Sequence, residues 1–513
     1  MKVLLIAPPI MDHVDGRLVP IAMDAHRTCP PYGMYLLASS LKAHGHAAVL
    51  ADLIAAGTNS IAEYVYHLAD SDLVGIGCTS MSWPTANDII SQIRAVSEVP
   101  IVLGGIHPTM FDRYLLNRFE IDFVVRGEGE IAISALADAL EHGAPLGHVP
   151  NLSWKSPDGV VIRNPIAGKI AKEKLSEFPV PDYAELPDQI YHGLAIESSR
   201  GCVFDCSFCS TSYRTTWRGM DSDSFVERLA AIMPHANRTR QQNIQIIDDE
   251  FSMNPSRAIQ IIRRVASAGL APKLVFDSRA NDLLFSGYVE TIAPYTSQFL
   301  VGAECGYDEG LERIGKGTTC EKLHRSAEVL QKNGIADRAD YSFVLGLPWE
   351  GKDHVNRTVD FALDLHGKYG VRILLQWYCQ IPGSRLWDRD YNEQRVSEAM
   401  YNEYGFFRDL YLFRSAVKLT PDEIFEIGEN LAPVQAVARA VHGGRAMVEH
   451  SFPMPIALNY LPPAQRANLS GLHSLREVAQ TKRWNKKSTV RDHPKGLPIA
   501  GGIPLRHFEG VHE

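Results

Sequence analysis

Nothing in this sequence approaches the ~18 consecutive apolar residues that a bilayer-spanning helix needs. The N-terminal run Val3-Leu4-Leu5-Ile6-Ala7 stops at Pro8-Pro9. It is too short for the core of a signal peptide and no small-residue cleavage site follows, so it reads as a first buried strand. A cytoplasmic protein without membrane insertion is expected. Positive charge is also in short supply: 51 Lys and Arg stand against 60 Asp and Glu, a net charge of −9. That argues against a duplex nucleic-acid binder with a broad basic face and leaves a small-molecule substrate, a single nucleotide included, as the expectation. Cysteine is scarce, eight in 513 residues, and in a reducing cytosol it builds no disulfide framework. Yet Cys202, Cys206 and Cys209 crowd into a single short stretch, which needs a local cause.

The length suggests two to four domains, and 45% hydrophobic with 22% charged residues fits a globular chain with a large core. No internal repeat or low-complexity block is evident. Residues 1–141 alternate strand-like runs (2–7, a weaker 47–50, 73–77, 100–104, 121–125) with helical patterns (33–43, 60–69, 85–97, 109–117, 129–141). Five such units predict a doubly wound, Rossmann-like parallel sheet whose ligand lies beyond the carboxyl ends of the strands. Pro157-Asp158-Gly159 predicts a hairpin within 150–165, and the proline-rich stretch up to residue 190 reads as an ordered linker. Strand signals then recur near 194–198, 243–247, 272–277, 299–304, 340–345 and 371–377. They predict a partial (β/α)6 barrel with its chemistry at the strand C-termini. Beyond residue 385 the pattern is helical and less regular, and the tail after 480 reads as loosely packed. The expected class is α/β: residues 1–145, a hairpin and linker 146–190, a barrel 191–385, and a mostly helical region 386–513.

A Rossmann-like sheet first suggests a dinucleotide, but Ala7-Pro8-Pro9-Ile10-Met11-Asp12 contains none of the glycines of a Gly-x-Gly-x-x-Gly turn. In the second half, Cys202-x3-Cys206-x2-Cys209 directly follows a predicted strand. Three thiolates so close can ligate three irons of a cubane and leave the fourth open, free to chelate an amino and a carboxylate group. The competing readings are buried structural cysteines or zinc, although zinc usually takes paired ligands and no second pair is present.

The triplet, within Ser199-Arg200-Gly201-Cys202-Val203-Phe204-Asp205-Cys206-Ser207-Phe208-Cys209, resembles the signature of radical S-adenosylmethionine (SAM) enzymes. The resemblance implies a [4Fe–4S] cluster on Cys202, Cys206 and Cys209, with Phe208 on the adenine side of SAM. Ile246-Ile247-Asp248-Asp249-Glu250-Phe251 stands where such enzymes hold the SAM amino group, so Asp248 or Asp249 is a candidate; each could equally cap a helix. Asp277-Ser278-Arg279, Gly302-Ala303-Glu304-Cys305-Gly306 with Gly315-Lys316-Gly317, and Leu345-Gly346-Leu347-Pro348-Trp349-Glu350 are similar to segments of radical SAM proteins fused to a cobalamin domain. Arg279 and Glu304 are thereby SAM-contact candidates, or halves of structural ion pairs.

The N-terminal segments resemble that cobalamin-binding domain: Pro30-Pro31-Tyr32-Gly33, Gly75-Ile76-Gly77-Cys78-Thr79-Ser80-Met81, Leu103-Gly104-Gly105-Ile106-His107-Pro108-Thr109 and Arg126-Gly127-Glu128-Gly129-Glu130. The resemblance makes Pro31, Gly33, Thr79, Ser80, Gly104, Gly105, His107, Gly127 and Glu128 cobalamin-contact candidates. Glycines at strand ends admit a bulky ligand, and small hydroxyls can bond a nucleotide tail. B12 domains with the motif Asp-x-His-x-x-Gly supply a cobalt-ligating His, but aligning Gly33 with its glycine places Pro30 at the His and Thr28 at the Asp. Asp24-Ala25-His26 imitates the motif out of register. A corrin without a His ligand is expected, with Met81 or Trp83 as conceivable residues under the cobalt face and His107 at most a tail contact.

The resemblance implies a cobalamin-dependent radical SAM methyltransferase. One SAM methylates cobalamin, a second yields a 5′-deoxyadenosyl radical, and methyl passes from methylcobalamin to an unactivated carbon of a small, specialised metabolite. A one-electron reductant such as flavodoxin or ferredoxin is the implied partner. A cyclase or rearrangement enzyme without methyl transfer is the alternative, and a non-catalytic cluster or corrin carrier is a further reading. Substrate choice is expected from the C-terminal helices and from Gln376-Trp377-Tyr378-Cys379-Gln380.

Overall fold

The computed structural model describes residues 1–404 except 15–16, 21–27, 167–168 and 212–213, together with 418–419, 423, 426–427 and the backbone of 448–451. Asp24-Ala25-His26, most of region 386–513 and the tail after 480 lie outside the described residues.

The first sheet takes β1 (Lys2–Ala7), β2 (Ala47–Asp52), β3 (Leu73–Gly77), β4 (Ile101–Gly104) and β5 (Phe123–Val125) in the order β2-β1-β3-β4-β5, all parallel. Helices α1 (Tyr32–Ala43), α2 (Trp83–Arg94), α3 (Ile106–Arg118) and α4 (Glu130–His142) connect the strands, while the expected helix 60–69 is a 3-10 turn, Ala62–Tyr64, running into Val65–Ala69. Both faces are covered, which is why β1 is buried from Val3 to Ala7 and reads as a continuous apolar run rather than an alternating one. Strand order reverses between β1 and β3, so a crevice opens at their carboxyl ends.

The hairpin is present, as β6 (Leu152–Lys155) and β7 (Val161–Arg163). It belongs to this sheet rather than to a separate linker: β6 pairs antiparallel with β5 and β7 with β6. Gly159 turns it at φ 80°, a conformation a side chain resists. A further antiparallel pair, Met11–Val14 with Arg17–Pro20, carried no clear sequence signal.

The second sheet runs β8 (Gly193–Ile196), β9 (Asn243–Ile246), β10 (Lys273–Ser278), β11 (Thr296–Glu304), β12 (Ala339–Leu345) and β13 (Arg372–Trp377), parallel and in sequence order. A seventh strand, β14 (Val448–Ser451), adds parallel to β13, so the region expected to be helical also completes the barrel sheet. Four residues, two of them Glu449 and His450, are too short and too polar to announce a strand, but they pair an otherwise open edge.

One apolar cluster runs from Leu4 and Ile6 through Leu194 and Ile196 to Leu375, so the halves share a core. The linker and its junction with the barrel are pinned within it: the Tyr183 hydroxyl donates to the Ala195 carbonyl at 2.9 Å, and the Tyr191 hydroxyl donates to Asp52 at 2.7 Å. No helix among the described residues is long and apolar enough to cross a membrane.

Candidate functional site

A cavity of about 630 Å³ opens at the carboxyl ends of the first sheet and reaches the barrel. Pro31, Gly33, Thr79, Gly104, Gly105, Gly127 and Glu128 border it, and Ser199, Arg200, Thr211, Ile247 and Asp249 close it from the barrel side. A Cβ added at Gly33 or Gly104 meets nothing within 4 Å, so the missing side chains there leave open volume. Gly105, at φ 101°, has no such latitude, because a Cβ would lie 2.5 Å from the Cys78 carbonyl. Gly127 is fixed by its N–H, which donates to Thr109 Oγ1 at 2.8 Å. Apolar side chains (Leu5, Val102, Val125, Ile133) and polar groups (Thr79, Glu128, Arg200) share the lining, which suits a bulky ligand with both apolar surface and hydrogen-bonding groups.

Two expected contacts do not face this cavity. His107 is fully buried, stacked on Trp83 with ring centroids 5.0 Å apart, and its Nδ1 pairs with Ser80 Oγ at 3.0 Å. Burial drives its pKa down to about 3, so it is a neutral core histidine. Ser80 spends its hydroxyl on that ring, whereas Thr79, one position earlier, borders the cavity. Trp83 is buried too, its indole N–H donating to Asn402 Oδ1 at 2.8 Å, and neither it nor Met81 borders the cavity. No imidazole does among the described residues.

Cys202, Cys206 and Cys209 are half-buried free thiols. The Ser207 N–H donates to the Ile314 carbonyl, the Leu386 N–H to the Ser207 carbonyl, and Arg385 to the Asp205 carbonyl, so neighbouring loops hold the cysteine loop. A cubane takes one thiolate per iron corner, so three cysteines leave one iron without a protein ligand. Burial pushes the Cys202 thiol up to about 11 and raises Cys209 as well, so iron binding there releases protons. Phe208 lies half-buried against the core.

At the strand ends, Asp248 has its lone pairs taken up and does not offer them to a SAM amino group. Its Oδ1 accepts from the N–H groups of Ser198 and Ser199 at 2.6 and 3.0 Å, and its Oδ2 from their hydroxyls at 2.6 Å each. Four donors occupy it, so it clamps the strand leading into the cysteines rather than offering lone pairs to a ligand. Asp249 accepts from the Gly201 N–H at 2.9 Å and from Thr211, and faces the cavity. Glu250, the third acid of the row, is buried. Its Oε1 accepts from Ser252 N–H and hydroxyl at 3.1 and 2.5 Å, and burial, helped by Asp282 and Asp277, lifts it to about 8. Three acids in a row after a strand were the available signal, since alternation sends Asp248 and Glu250 to one side and Asp249 to the other.

Arg279 and Glu304 come together through Lys316. Arg279 lies 3.2 Å from the centroid of Phe204 in the cysteine loop and donates to the Lys316 carbonyl. Lys316 Nζ donates to Glu304 Oε1 at 2.7 Å. Glu304 sits at φ 67°, where β11 slips register against β12, a strained backbone of the kind found at functional sites. The Leu345–Glu350 segment folds on itself instead: Glu350 accepts from the N–H groups of Gly346 and Leu347 and from the Tyr307 hydroxyl. Trp377 and Tyr378 are buried.

A parallel sheet with a glycine-rimmed cavity, closed by a barrel that carries three thiols at cubane spacing, is built to hold a bulky ligand beside an iron–sulfur cluster. The comparisons agree. The B12 binding domain family matches residues 19–137 and the Radical SAM superfamily residues 196–362. An uncharacterized methyltransferase of Pyrococcus horikoshii is 31% identical over 403 residues, 76% of this chain and 83% of that protein. The anaerobic magnesium-protoporphyrin IX monomethyl ester cyclase of Rubrivivax gelatinosus is 27% identical over 361 residues, 65% of this chain and 62% of that protein. The structure of the radical SAM methyltransferase TsrM from Kitasatospora setae, with cobalamin and a [4Fe–4S] cluster bound, shares the fold with a TM-score of 0.60 at 18% identity, over 76% of this chain and 75% of that one. This chain belongs to the radical SAM superfamily, among the enzymes that carry a B12-binding domain. Its cofactors are cobalamin, a [4Fe–4S] cluster and SAM.

Proposed function

We propose that the protein is a methyltransferase that moves the SAM methyl group by way of cobalamin to an unactivated carbon of a small molecule, with an external one-electron donor as partner. The observation that carries this reading is the shared opening: Ser199, Arg200 and Asp249 line the glycine-rimmed cavity and lie next to the cysteine loop. Two reagents can therefore act on one substrate carbon. When bound, the cluster supplies an electron to SAM and the cobalt a carrier for methyl.

The residues position these groups and keep water out. Cys202, Cys206 and Cys209 hold the iron. Pro31, Gly33, Thr79, Gly104, Gly105 and Gly127 shape the corrin wall. Arg279, Glu304 and Lys316, joined to one another beside the cysteine loop, offer charged groups for the polar parts of SAM. Asp249 and the buried Glu250 are the acidic candidates for its ammonium, in place of the saturated Asp248. Hydrogen abstraction by a carbon radical needs no protein base.

The Rubrivivax relative supports a second reading, cyclisation without methyl transfer. Anaerobic reconstitution with methyl-labelled SAM and candidate metabolites separates them. Methylation gives one S-adenosylhomocysteine and one 5′-deoxyadenosine per labelled product. A product free of label, formed with 5′-deoxyadenosine, replaces this reading with cyclisation or rearrangement.

A further inference from the structure

Arg200 stands where the two halves of the molecule meet, and one residue, Gly201 at φ 86°, separates it from Cys202. Its peptide is in a two-residue strand, Ser199–Arg200, paired antiparallel with Arg218–Gly219. Its guanidinium spans three carboxylates: Glu197 through Nε at 2.7 Å and Nη2 at 2.8 Å, Glu130 through Nη2 at 2.5 Å, and Glu128 through Nη1 at 3.1 Å. Arg218 makes the second cation, its Nη2 2.9 Å from Glu128 Oε1. These side chains are almost wholly withdrawn from solvent, Arg200 at 12% exposure and the three carboxylates at 6–7%. Glu128 lies in the first sheet's last βα turn and Glu130 opens α4, while Glu197 and Arg200 lead into the cysteine loop. The group bridges the halves, and Glu128, Glu130, Glu197 and Arg200 all border the cavity.

Three carboxylates against two guanidinium groups leave the cluster short of positive charge, and Glu130 Oε2 is buried without a hydrogen-bond partner among the described residues. A macrocycle whose rim carries primary amides brings N–H donors to such a wall. A bond that Glu128 or Glu130 accepts from the ligand changes what that carboxylate gives to Arg200. We propose that Arg200 is a positioning residue through which corrin occupancy of the cavity and SAM binding at the cluster are energetically linked. The link rests on the cobalamin site described above. Its basis is the guanidinium fork: several N–H groups in one plane reach carboxylates from both halves at once, which a single ammonium cannot do.

The test uses the full-length, cluster-reconstituted protein and equilibrium dialysis against labelled SAM, with and without bound hydroxocobalamin. The SAM dissociation constant is expected to change at least about 5-fold on corrin loading. The same ratio is expected when cobalamin affinity is measured with and without SAM, because linkage is reciprocal. In Arg200→Lys the ratio falls toward one at retained iron content. Glu130→Gln removes charge from an over-negative group, is the milder change, and decides the matter if Arg200→Lys loses its cluster; its ratio also falls. A native ratio of one with corrin bound overturns the linkage alone, as does a native ratio retained in either cluster-bearing variant. Failure of the native protein to take up hydroxocobalamin overturns the linkage and the cobalamin site together.

Discussion

Gly104 and Gly105 are adjacent, yet replacing them should have opposite consequences. Gly104 closes β4 at ordinary strand geometry and borders the cavity, and an added Cβ there meets no atom within 4 Å. Gly104→Val therefore costs the fold little. It can even stabilise it by about 0.5–1 kcal/mol, since glycine is a poor strand residue. Its methyl groups, however, take volume the corrin needs. Overpacking of a fitted site costs ~1–3 kcal/mol, which is about 5- to 150-fold in affinity. Gly105 sits at φ 101° with the Cys78 carbonyl 2.5 Å from a new Cβ, so Gly105→Ala meets a clash as well as a strained backbone worth about 1–3 kcal/mol. Urea unfolding of the apoprotein reads the first quantity and absorbance titration with hydroxocobalamin the second. Expected are an unchanged or higher urea midpoint with weak corrin binding for Gly104→Val, and a lower midpoint for Gly105→Ala. Native-like corrin affinity in Gly104→Val would show that the cavity is not the corrin site, and an undisturbed Gly105→Ala midpoint would refute the strain argument.

Cys206→Ala should strip the cluster, since a site reduced to two thiolates holds a cubane poorly, while Cys320→Ala in the helix Cys320–Lys332 should leave anaerobic iron counts unchanged; full iron in the former sinks the ligand assignment. Electron paramagnetic resonance of the cob(II)alamin-loaded protein should show no nitrogen triplet from a protein imidazole, because no His borders the cavity among the described residues. His107 predicts an acid sensitivity with a definite sign. Its folded pKa is near 3 against ~6.5 unfolded, so between those values the unfolded chain binds the extra proton and stability falls as pH drops. His107→Phe should flatten that part of the stability profile between pH 6.5 and 4 in urea melts, and an unaltered slope would contradict the buried neutral ring.

The alternation of apolar runs with helical periods and the glycines at strand ends are local patterns, and they were sufficient for the two-sheet architecture and most of the cavity wall; the Cys-x3-Cys-x2-Cys spacing, equally local, nominates the cluster ligands. Each follows from chain geometry over a few residues: strand and helix periods, the reach of neighbouring thiols, the absence of a Cβ. What the sequence could not express is which partner uses up each polar group. Asp248, Asp249 and Glu250 look alike in one dimension, yet two serines saturate the first, the second faces the cavity, and burial holds the third as a weak acid. Ser80 and Thr79 are equally plausible hydroxyls until His107, 27 positions away from Ser80, claims one of them. Arg200 carried no signal of its own, because its carboxylates at 128 and 130 are some 70 residues upstream. The four polar-rich residues of β14 became a strand only because β13 presented an unpaired edge. Hydrogen bonds and ion pairs between distant segments are fixed by packing, after the chain has collapsed, and only the tertiary structure decides them.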